Sequence, residues 1–593
     1  MFLLVLCLAP CTSADRIHIE KPDAEEKDAG AADPPFEKAT YPGEISTPYP
    51  TIHCLAIEWF IQGDDNLNGL VEVSYRKLDK EKQGLGEASW IAAMPLIRVP
   101  KGSTGKHTRP TYTWENKHSG SIFNLEPDTE YEIRLSLIDP DGGNTTERIT
   151  AHTRPIPREA ENARTIKVNP KTLNKAAMLA QAGDILLLSP GHYHDFRMPV
   201  DGEAGKPIVL RADNAHPVIG STFNSVDLEH RKHVIIDGLT VWGPVRLRWA
   251  EDVAVCYCKI ESQYGIIAQE QPGCKNCYIA DNTVTYKIPW AAESIGSNSI
   301  WGGEANVGEG IEVTGPGNVI CYNRVSGYRD CISTMEDLWV YDQMCIDIYN
   351  NDISKGVDDA IELDFAMHNC RVMNNRITNC GMGLSSQPGL GGPVYFIRNV
   401  MYNMGLAPFK LERHSYGNLF WHNTVVKTGD GLFEHHGQDA YFRSEWINNL
   451  CLGGSGGGMS GRYSRGTEGL AVALPGYNNS CSFDYNAVGS VNTPFAGTIG
   501  NERFESIGQL HKLTDAGHCV KVNINVFAAP LVFPDPPFPE RRPQDLRIAP
   551  GSAAADAALL MPNVNDNFTG KGPDIGAYEI GKPLPHYGPR PRE

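Results

Sequence analysis

Basic residues are scarce in this chain relative to acidic ones. The 593 residues include 71 Asp and Glu against 53 Lys and Arg, which gives a formal net charge of -18. A general nucleic-acid-binding protein needs a basic footprint, so this charge argues against that class of protein. A polyanionic ligand would require a local cationic patch or a bound metal, whereas the alternative is that the acidity serves solubility alone.

Long apolar runs and paired cysteine motifs are also missing. After residue 14, no stretch reaches the ~18 apolar residues that suggest a membrane span. Residues 1–14 form a short apolar run that ends in a small residue, and we interpret it as a signal peptide although it contains no Lys or Arg. We therefore expect a secreted, periplasmic or cell-surface protein. Among 15 Cys, the lone pair Cys274 and Cys277 joins no second pair at zinc spacing.

A repeat of short β-prone runs occupies residues 308–434. Each run is followed by an Asn, and these are Asn323, Asn351, Asn375, Asn399, Asn423 and Asn449. The step from Asn351 to Asn423 is 24 residues each time. No helical pattern lies between the runs, which argues against βαβ units. The period predicts a solenoid of the parallel β-helix type, in which Asn side chains of successive coils form an amide ladder.

The chain before the repeat has a different texture. Residues 15–45 are charged and Pro-rich, which is typical of a linker. Residues 46–155 alternate strand-like runs with turns, and Tyr131 follows a Pro-containing corner, as in the tyrosine corner of β-sandwiches. With Trp59, this segment resembles a fibronectin type III domain. The resemblance implies a small sandwich that acts as a spacer or as a glycan-binding accessory, and we favour the spacer.

Residues 165–580 are assigned to the solenoid. Residues 169–183 have helical spacing and end at a Gly, and an apolar strand with Pro-Gly-His-Tyr follows at once. This order resembles the opening of pectin-lyase-like right-handed β-helices, in which a helix covers the first open coil. We assign residues 546–579 to closing the other end. The predicted fold class is all-β, a right-handed parallel β-helix preceded by a small antiparallel β-sandwich.

Carboxylates are crowded on two neighbouring rungs. Asp330 lies on one, and Asp358, Asp359 and Glu362 lie on the next. Rungs stack ~4.8 Å apart, so these charges repel unless a cation lies between them, and Ca²⁺ takes six to eight oxygen ligands. Because Asp359 and Glu362 have opposite parity, a shared ion requires the chain to turn between them. Alternatively, Asp358 and Asp359 end the strand and bond to turn amides.

Side chains of residues 359–364 should alternate between the core and the outside. The expected outward set is Ala360, Glu362 and Asp364. On other rungs, the outer positions expected to match Glu362 are Glu312, Ser333, Ser385 and Glu412. Lys410 should also point outward, two rungs or ~10 Å from Glu362. On the residues alone, Lys410 is either a catalytic base or one partner of a surface ion pair with Glu362 or Glu412.

An Asp on one coil, Asp-Asp-x-x-acid on the next and Phe-Lys-Leu two coils later resemble the family-9 polysaccharide lyases. The resemblance implies a calcium site formed by Asp330, Asp358, Asp359 and Glu362. It also implies that Lys410 abstracts the proton in a β-elimination on a uronate-containing polysaccharide. This chain departs from the family at Glu362, which replaces Asp, at Pro408, which replaces Gly, and at Glu412 and Arg413, which replace glycines.

Further candidates flank this core of the site. Arg413 or His414 could bind the substrate carboxylate or protonate the leaving oxygen. Glu412, Trp339 and Tyr341 are candidate substrate-binding residues, because aromatic side chains on solenoid loops can stack on sugar rings, although they can equally cover core edges.

Other functions remain open on the same scaffold. A glycoside hydrolase needs two carboxylates ~5.5 Å or ~6.5–9.5 Å apart, which Asp359 with Asp330 or Glu362 with Glu412 could supply. However, the region around Met382 lacks the Gly-His motif of polygalacturonase-like enzymes. A uronate C5-epimerase shares the first proton abstraction. A non-catalytic glycan-binding surface protein would use the sandwich and the solenoid as a rod.

Overall fold

The structure, a computed structural model, covers most of the chain from residue 36 to residue 592. Its described segments are 36–78, 90–213, 221–268, 273–290, 307–334, 342–435, 440–455, 459–460, 463–464, 466, 468–492, 494–514, 517–535 and 539–592. The predicted signal peptide and residues 15–35 of the predicted linker lie outside the described residues. Trp339 and Tyr341, two of the candidate substrate-binding residues, also lie outside them.

The N-terminal part is an antiparallel β-sandwich. Its strands are Thr40–Ser46, Leu55–Gly63, Leu70–Lys77, Ile91–Val99, Lys117–Ile122, Glu130–Ile138 and Thr145–His152. Trp59, Ile133 and Leu135 form part of its buried core. The hydroxyl of Tyr131 accepts a hydrogen bond of 2.9 Å from the backbone N–H of Glu126, so the predicted tyrosine corner is present.

A small hairpin extends from the sandwich, and we call residues 102–114 the sandwich hairpin. Its strands are Gly102–Ser103 and Thr113–Trp114, and a 3₁₀ turn covers Gly105–His107.

The remainder is a parallel β-helix. Over the described residues, it contains three sheets of 13 strands, paired in parallel except for the last pair of sheet C. Sheet A consists of Thr165–Val168, Ile185–Leu188, Ile208–Ala212, Val234–Asp237, Ala254–Cys256, Tyr278–Ala280, Val319–Cys321, Asp347–Tyr349, Cys370–Met373, Val394–Ile397, Asn418–Trp421, Glu445–Ile447 and Ser482–Asp484. Sheet B consists of Gly191–His192, Ser221–Phe223, Thr240–Val241, Lys259–Glu261, Thr283–Thr285, Arg324–Tyr328, Asp352–Gly356, Arg376–Cys380, Val400–Met404, Thr424–Val426, Leu450–Gly453, Ala487–Ser490 and Val520–Val522. Sheet C consists of Asp195–Arg197, Ser225–Asp227, Val245–Arg246, Ile266–Ala268, Glu309–Val313, Asp330–Ser333, Asp359–Glu362, Met382–Ser386, Phe409–Leu411, Leu432–His435, Val472–Leu474, Gly497–Ile499 and Glu502–Phe504.

Outside these sheets, Met459–Ser460 and Tyr463–Ser464 form a short antiparallel hairpin, and Ile524–Val526 forms a 3₁₀ turn. The predicted fold class, a β-helix preceded by an antiparallel sandwich, is confirmed. Among the described residues, no helix combines the length and the apolar character that crossing a membrane requires.

An amide ladder runs along the coils between sheets A and B. It links Asn282, Asn323, Asn351, Asn375, Asn399, Asn423, Asn449 and Asn486. In each step, Nδ2 donates to Oδ1 of the next Asn at 2.9–3.1 Å. The predicted ladder is confirmed, and it continues one Asn beyond the predicted set at each end.

Two short helices lie at the ends of the coils. Helix Leu173–Met178 inserts Leu173 and Ala177 into the β-helix core, as predicted for a helix that covers the first coil. A second helix, Ile507–Leu513, buries Leu510 in the same core after the last strands.

The C-terminal tail lies along the outer face of sheet B and then reaches acids of sheet A and of the corner that follows it, rather than covering the end of the coils. Leu546 and Ile575 pack in one cluster with outward side chains of sheet B such as Val426. Further along, Arg590 binds Asp281 at 2.7 Å, and Arg592 binds Asp237 at 2.5 Å. Sheet B therefore has apolar residues on both faces, and the sequence pattern alone does not separate the two.

Candidate functional site

Three buried carboxylates meet where sheet C begins. Asp330 and Asp359 open their strands directly after the corner with sheet B, and Glu362 ends the second strand. One oxygen from each of these three residues lies within 4.8 Å of the others. We call these three residues, together with Asp358, the acidic cluster.

The chain bends within the strand Asp359–Glu362. Ala360 and Ile361 are consecutive, yet both lie in the β-helix core. Asp359 and Glu362 consequently face outward together, and this is the turn that a shared ion requires. The prediction that Ala360 points outward is wrong, because strict alternation holds only in a straight strand and this one leaves a corner.

Lys410 reaches the acidic cluster from two strands away. Its Nζ donates to Asp359 Oδ2 at 2.7 Å and lies 3.6 Å from Glu362 Oε1. The intervening strand places Ser385 in register with both Glu362 and Lys410. Because Ser is small, the lysine side chain can extend past that strand. The expected match of Glu412 to Glu362 is therefore wrong, since Lys410 occupies that register position.

Arg329 is a member of the site that the sequence analysis missed. Its guanidinium lies 3.3 Å from Asp330 Oδ2, 3.6 Å from Asp358 Oδ2 and 3.8 Å from Glu309 Oε1. Ser333 in turn donates to Glu309 at 3.0 Å. The available signal was its position, because Arg329 directly precedes the first Asp of the cluster on the corner.

The acidic cluster contains more carboxylate oxygens than the neighbouring donors can bond. Among the described residues, Asp330 Oδ2, Asp358 Oδ1, Asp359 Oδ1 and Glu362 Oε1 are buried without a hydrogen-bond partner. Burial raises the pKa of Asp330 and of Asp359 to about 7. Burial and the nearby Asp330 raise the pKa of Glu362 well above its ordinary value. These shifts show that the cluster holds its charges only at a cost.

The negative charge of the cluster favours the protonated, charged form of Lys410. Burial alone would lower the pKa of its amine, but the carboxylates of Asp359, Asp358 and Glu362 raise that pKa well above its ordinary value. In this arrangement Lys410 is an ammonium ion and acts as a counter-ion of the cluster.

The donor set fits a hard divalent cation. It consists of carboxylate oxygens, several of which have no hydrogen-bond partner, and it combines Asp330, Asp359 and Glu362 within a few ångströms. Calcium prefers such ligands, and a buried excess of negative charge favours binding it.

Glu412 lies near the rung of Lys410 but outside the acidic cluster. Its Oε1 is 3.2 Å from Nε2 of His435, and His435 is in register with Lys410. Burial alone would raise the pKa of Glu412, but the hydrogen bond with His435 and the charges of Lys410 and Arg413 lower it. Glu412 is thus paired with the imidazole of His435 and does not belong to the acidic cluster.

His414 contacts the sandwich, and Arg413 precedes it on the same turn. Both have φ in the left-handed region, at 56° and 65°, and the chain changes direction there. The guanidinium of Arg413 lies 5.8 Å from the ring centroid of Phe365. The ring of His414 stacks on His107 of the sandwich hairpin at 4.3 Å and packs against Phe442.

The fold and site together define a parallel β-helix protein with a buried acidic cluster that contacts a lysine. No protein-family model matches the chain, and no curated protein does. Among solved structures, the chain is similar to a family 28 exopolygalacturonase of Yersinia enterocolitica, with 11% identity, 83% of this chain and 100% of that chain covered, and a TM-score of 0.31. It is also similar to an alginate lyase from Paenibacillus sp. str. FPU-7, with 18% identity, 49% and 93% covered, and a TM-score of 0.28. Likeness at this level carries no argument about the site.

Proposed function

We propose that this protein is a secreted polysaccharide lyase that cleaves a uronate-containing glycan by β-elimination. Lys410 is the base, and Asp330, Asp358, Asp359 and Glu362 hold calcium. The observation that supports this most directly is the 2.7 Å contact from Lys410 Nζ to Asp359. Among the described residues, this contact lies in a cluster where several buried carboxylate oxygens have no hydrogen-bond partner. An amine and a cation site that adjoin in this way can act on one sugar residue.

The chemistry requires a weak carbon acid to be activated. The C5 proton of a uronate is poorly acidic until the adjacent carboxylate is neutralised, and a bound calcium ion supplies that neutralisation. Nζ of Lys410 then takes the C5 proton, and the electron pair of that C–H bond forms the C4–C5 double bond. The bond from C4 to the leaving oxygen breaks, and that oxygen keeps the electron pair and takes up a proton from water.

Lys410 can accept that proton only as a neutral amine. The carboxylates around it hold its pKa high in the structure. When the negative charge of those carboxylates is compensated, they raise the pKa of Lys410 less, and that pKa falls. The ion pair with Asp359 is thus the resting state of the base, and it also keeps the amine pointed into the site.

The test replaces Lys410 by Arg, which keeps the charge and the hydrogen-bond donors but stays protonated. We expect the rate of unsaturated-uronide formation, followed by absorbance, to fall by about 10²–10⁴-fold, the usual contribution of a general base. Substrates are pectates, alginates and glycosaminoglycans. Lys232→Arg is the control, because Lys232 also pairs with an acid, Glu251 at 2.6 Å, but on coils that precede those of the site. It should retain activity.

The products separate this proposal from its alternatives. New reducing ends without unsaturation would identify a hydrolase, for which Asp330 and Asp359, both with a pKa near 7, could share a proton. Unchanged chain length with inverted C5 would identify an epimerase. Full lyase activity in Lys410→Arg would remove Lys410 from the role of base.

A further inference from the structure

The sandwich hairpin packs onto the turns that follow the site strands. His107 stacks on His414 with a centroid distance of 4.3 Å and an interplanar angle of 18°. Tyr112 packs on Phe365 at 5.6 Å, and Trp114 packs on Tyr416 at 5.1 Å. These contacts join residues about 250–300 positions apart in the sequence, and each places the hairpin against the β-helix.

Those turns lie close to the proposed base. His414 follows Lys410 by four residues, so their Cα atoms are at most about 14 Å apart even in a fully extended chain. Phe365 follows Glu362 by three residues, and the guanidinium of Arg413 lies over its ring. The hairpin consequently borders the space beside the acidic cluster.

The hairpin is held in this place by a polar interface. Glu58 of the sandwich accepts from Lys117 at 2.6 Å and lies 2.9 Å from His368 of the β-helix. Asn369 donates to Ser119 at 3.0 Å and accepts from Ser121 at 2.9 Å. A loosely tethered spacer does not bury bonds of this kind against its neighbour.

Basic side chains from both parts of the chain meet at the contact. The hairpin turn carries Lys106, His107 and Arg109, and the facing turn of the β-helix carries Arg413 and His414. Lys106 and Arg109 are exposed, whereas the other three are partly buried. The nearby Glu412 pairs with His435, and the charge of Arg413 also acts on it. In a chain with a net charge of -18, the side chains of Lys106, Arg109 and Arg413, together with two imidazoles that can donate hydrogen bonds, form a local patch of the kind that a polyanion needs.

We infer that the sandwich completes the substrate groove. In this arrangement His107, Arg413 and His414 bind an anionic group, a carboxylate or a sulfate, on a sugar that neighbours the one at Lys410. The position of that sugar rests on the proposed lyase function, but the anion-binding contact itself does not. The sandwich would then be part of the site instead of the spacer that its sequence suggests.

The experiment measures binding by calorimetry in the full-length chain with Lys410→Arg, which prevents turnover. The probes are oligogalacturonate and alginate oligomers as carboxylate ligands, dextran sulfate as a sulfate ligand, and dextran as a neutral one. His107→Ala should weaken binding of the anionic ligand about tenfold, which corresponds to ~1.4 kcal/mol. His107→Phe keeps a ring against His414 but has no ring nitrogen that can donate a hydrogen bond, and it should weaken binding to a similar extent.

The control is His152→Ala, which removes an exposed histidine of the sandwich that lies 3.7 Å from Asp128. It should bind like the parent, and thermal unfolding should show all variants folded. In the enzyme that retains Lys410, His107→Ala should raise KM more than it lowers kcat. Stronger binding of oligouronates than of dextran sulfate identifies a carboxylate site, and the reverse order identifies a sulfate site.

Two results would overturn the inference. One is parental affinity in both His107 variants or in His107→Phe alone, which would reduce the hairpin to a positioning role. The other is that neither carboxylated nor sulfated ligand binds better than dextran. If His107→Ala weakens binding but no unsaturated product ever forms, the anion site is supported and the lyase proposal alone fails.

Discussion

Asp359 combines several contacts in one residue. Its backbone N–H donates to Asp330 Oδ1 at 2.8 Å, its Oδ2 accepts from Lys410, and its Oδ1 has no hydrogen-bond partner among the described residues. The backbone bond fixes the distance between the two rungs. The side chain is therefore the part whose charge can be changed with little effect on the backbone.

Asp359→Asn tests the cation site at this scale. The exchange keeps the shape of the side chain and removes one negative charge. A ligand present at 100 times its Kd stabilises a protein by about 2.7 kcal/mol, so calcium should raise the Tm of the wild type and chelator should lower it. In Asp359→Asn most of that difference should disappear, as followed by thermal unfolding.

Asp484→Asn provides the comparison, since Asp484 is a partly exposed acid that pairs with His518 at 2.8 Å. Its calcium response should equal that of the wild type. A wild-type Tm indifferent to both calcium and chelator would refute the cation site.

The ladder of Asn side chains is the element that the sequence predicts best. A buried amide needs a partner on each side, so Asn must recur once per coil and its period reports the coil length. Asn375 shows the full pattern, because it donates to Ile348 O and to Asn399 Oδ1 and accepts from both nitrogens of Asn351.

Register within sheet C was harder to predict for a physical reason. Its strands at the site are three to five residues long and leave corners, so two inward side chains can be adjacent, as Ala360 and Ile361 are. Alternation counted across such a bend shifts by one residue. The offset on the rung of Lys410 is a separate one of two residues. Phe409 is in register with Leu384 and so with Ile361, which aligns Lys410, and not Glu412, with Glu362.

Asn375→Ala should destabilise the β-helix strongly. It leaves the backbone N–H and the amide of Asn351 without their acceptor, and each unsatisfied buried group costs about 1–3 kcal/mol. We expect a loss of about 3 kcal/mol in the free energy of unfolding, measured by urea denaturation. Asn282→Ala, at the first end of the ladder, should cost less, because Asn282 Oδ1 accepts from one donor among the described residues, the backbone N–H of Cys258. Asn525→Ala, which changes an exposed residue, should cost little. Equal effects at Asn375 and Asn525 would contradict this account.

At the scale of the whole molecule, the interface between the sandwich and the β-helix sets where the sandwich lies relative to the site. Its bonds join residues far apart in sequence, such as Phe123, whose backbone N–H donates to Asn563 at 2.7 Å. Polar pairs of this kind have no periodicity, so a single sequence does not reveal them. For this reason the position of His107 beside His414 could not be predicted, although the acidic cluster and Lys410 could.

The interface should be sensitive to acid through Glu58. Burial alone would raise the pKa of Glu58, but His368 and Lys117 hold it well below its ordinary value. A carboxyl whose pKa is lowered on folding stabilises the protein fully above its unfolded pKa of about 4.3, and this contribution is lost as the pH falls toward the folded value. Burial lowers the pKa of His368, so its contribution is likewise lost as the pH falls below about 6.5.

Glu58→Gln should therefore be about 3 kcal/mol less stable than the wild type at pH 7, since Lys117 stays buried without its counter-ion. The difference in stability should narrow below about pH 4, because the unfolded wild type takes up a proton on Glu58 there while the folded protein does not. Urea midpoints at both pH values measure it. Glu126→Gln changes an exposed partner of Lys77 and should show neither effect. A gap that is independent of pH would contradict the assignment.

The ion pairs of Arg590 with Asp281 and of Arg592 with Asp237 have a consequence for biosynthesis. The coils that carry these two acids leave the ribosome some 300 residues before their arginine partners are translated. A nascent chain must therefore hold its first coils together without these two contacts, for example by the pair of Arg211 with Asp237. The C-terminal tail can bind the coils only after residue 592 has left the ribosome.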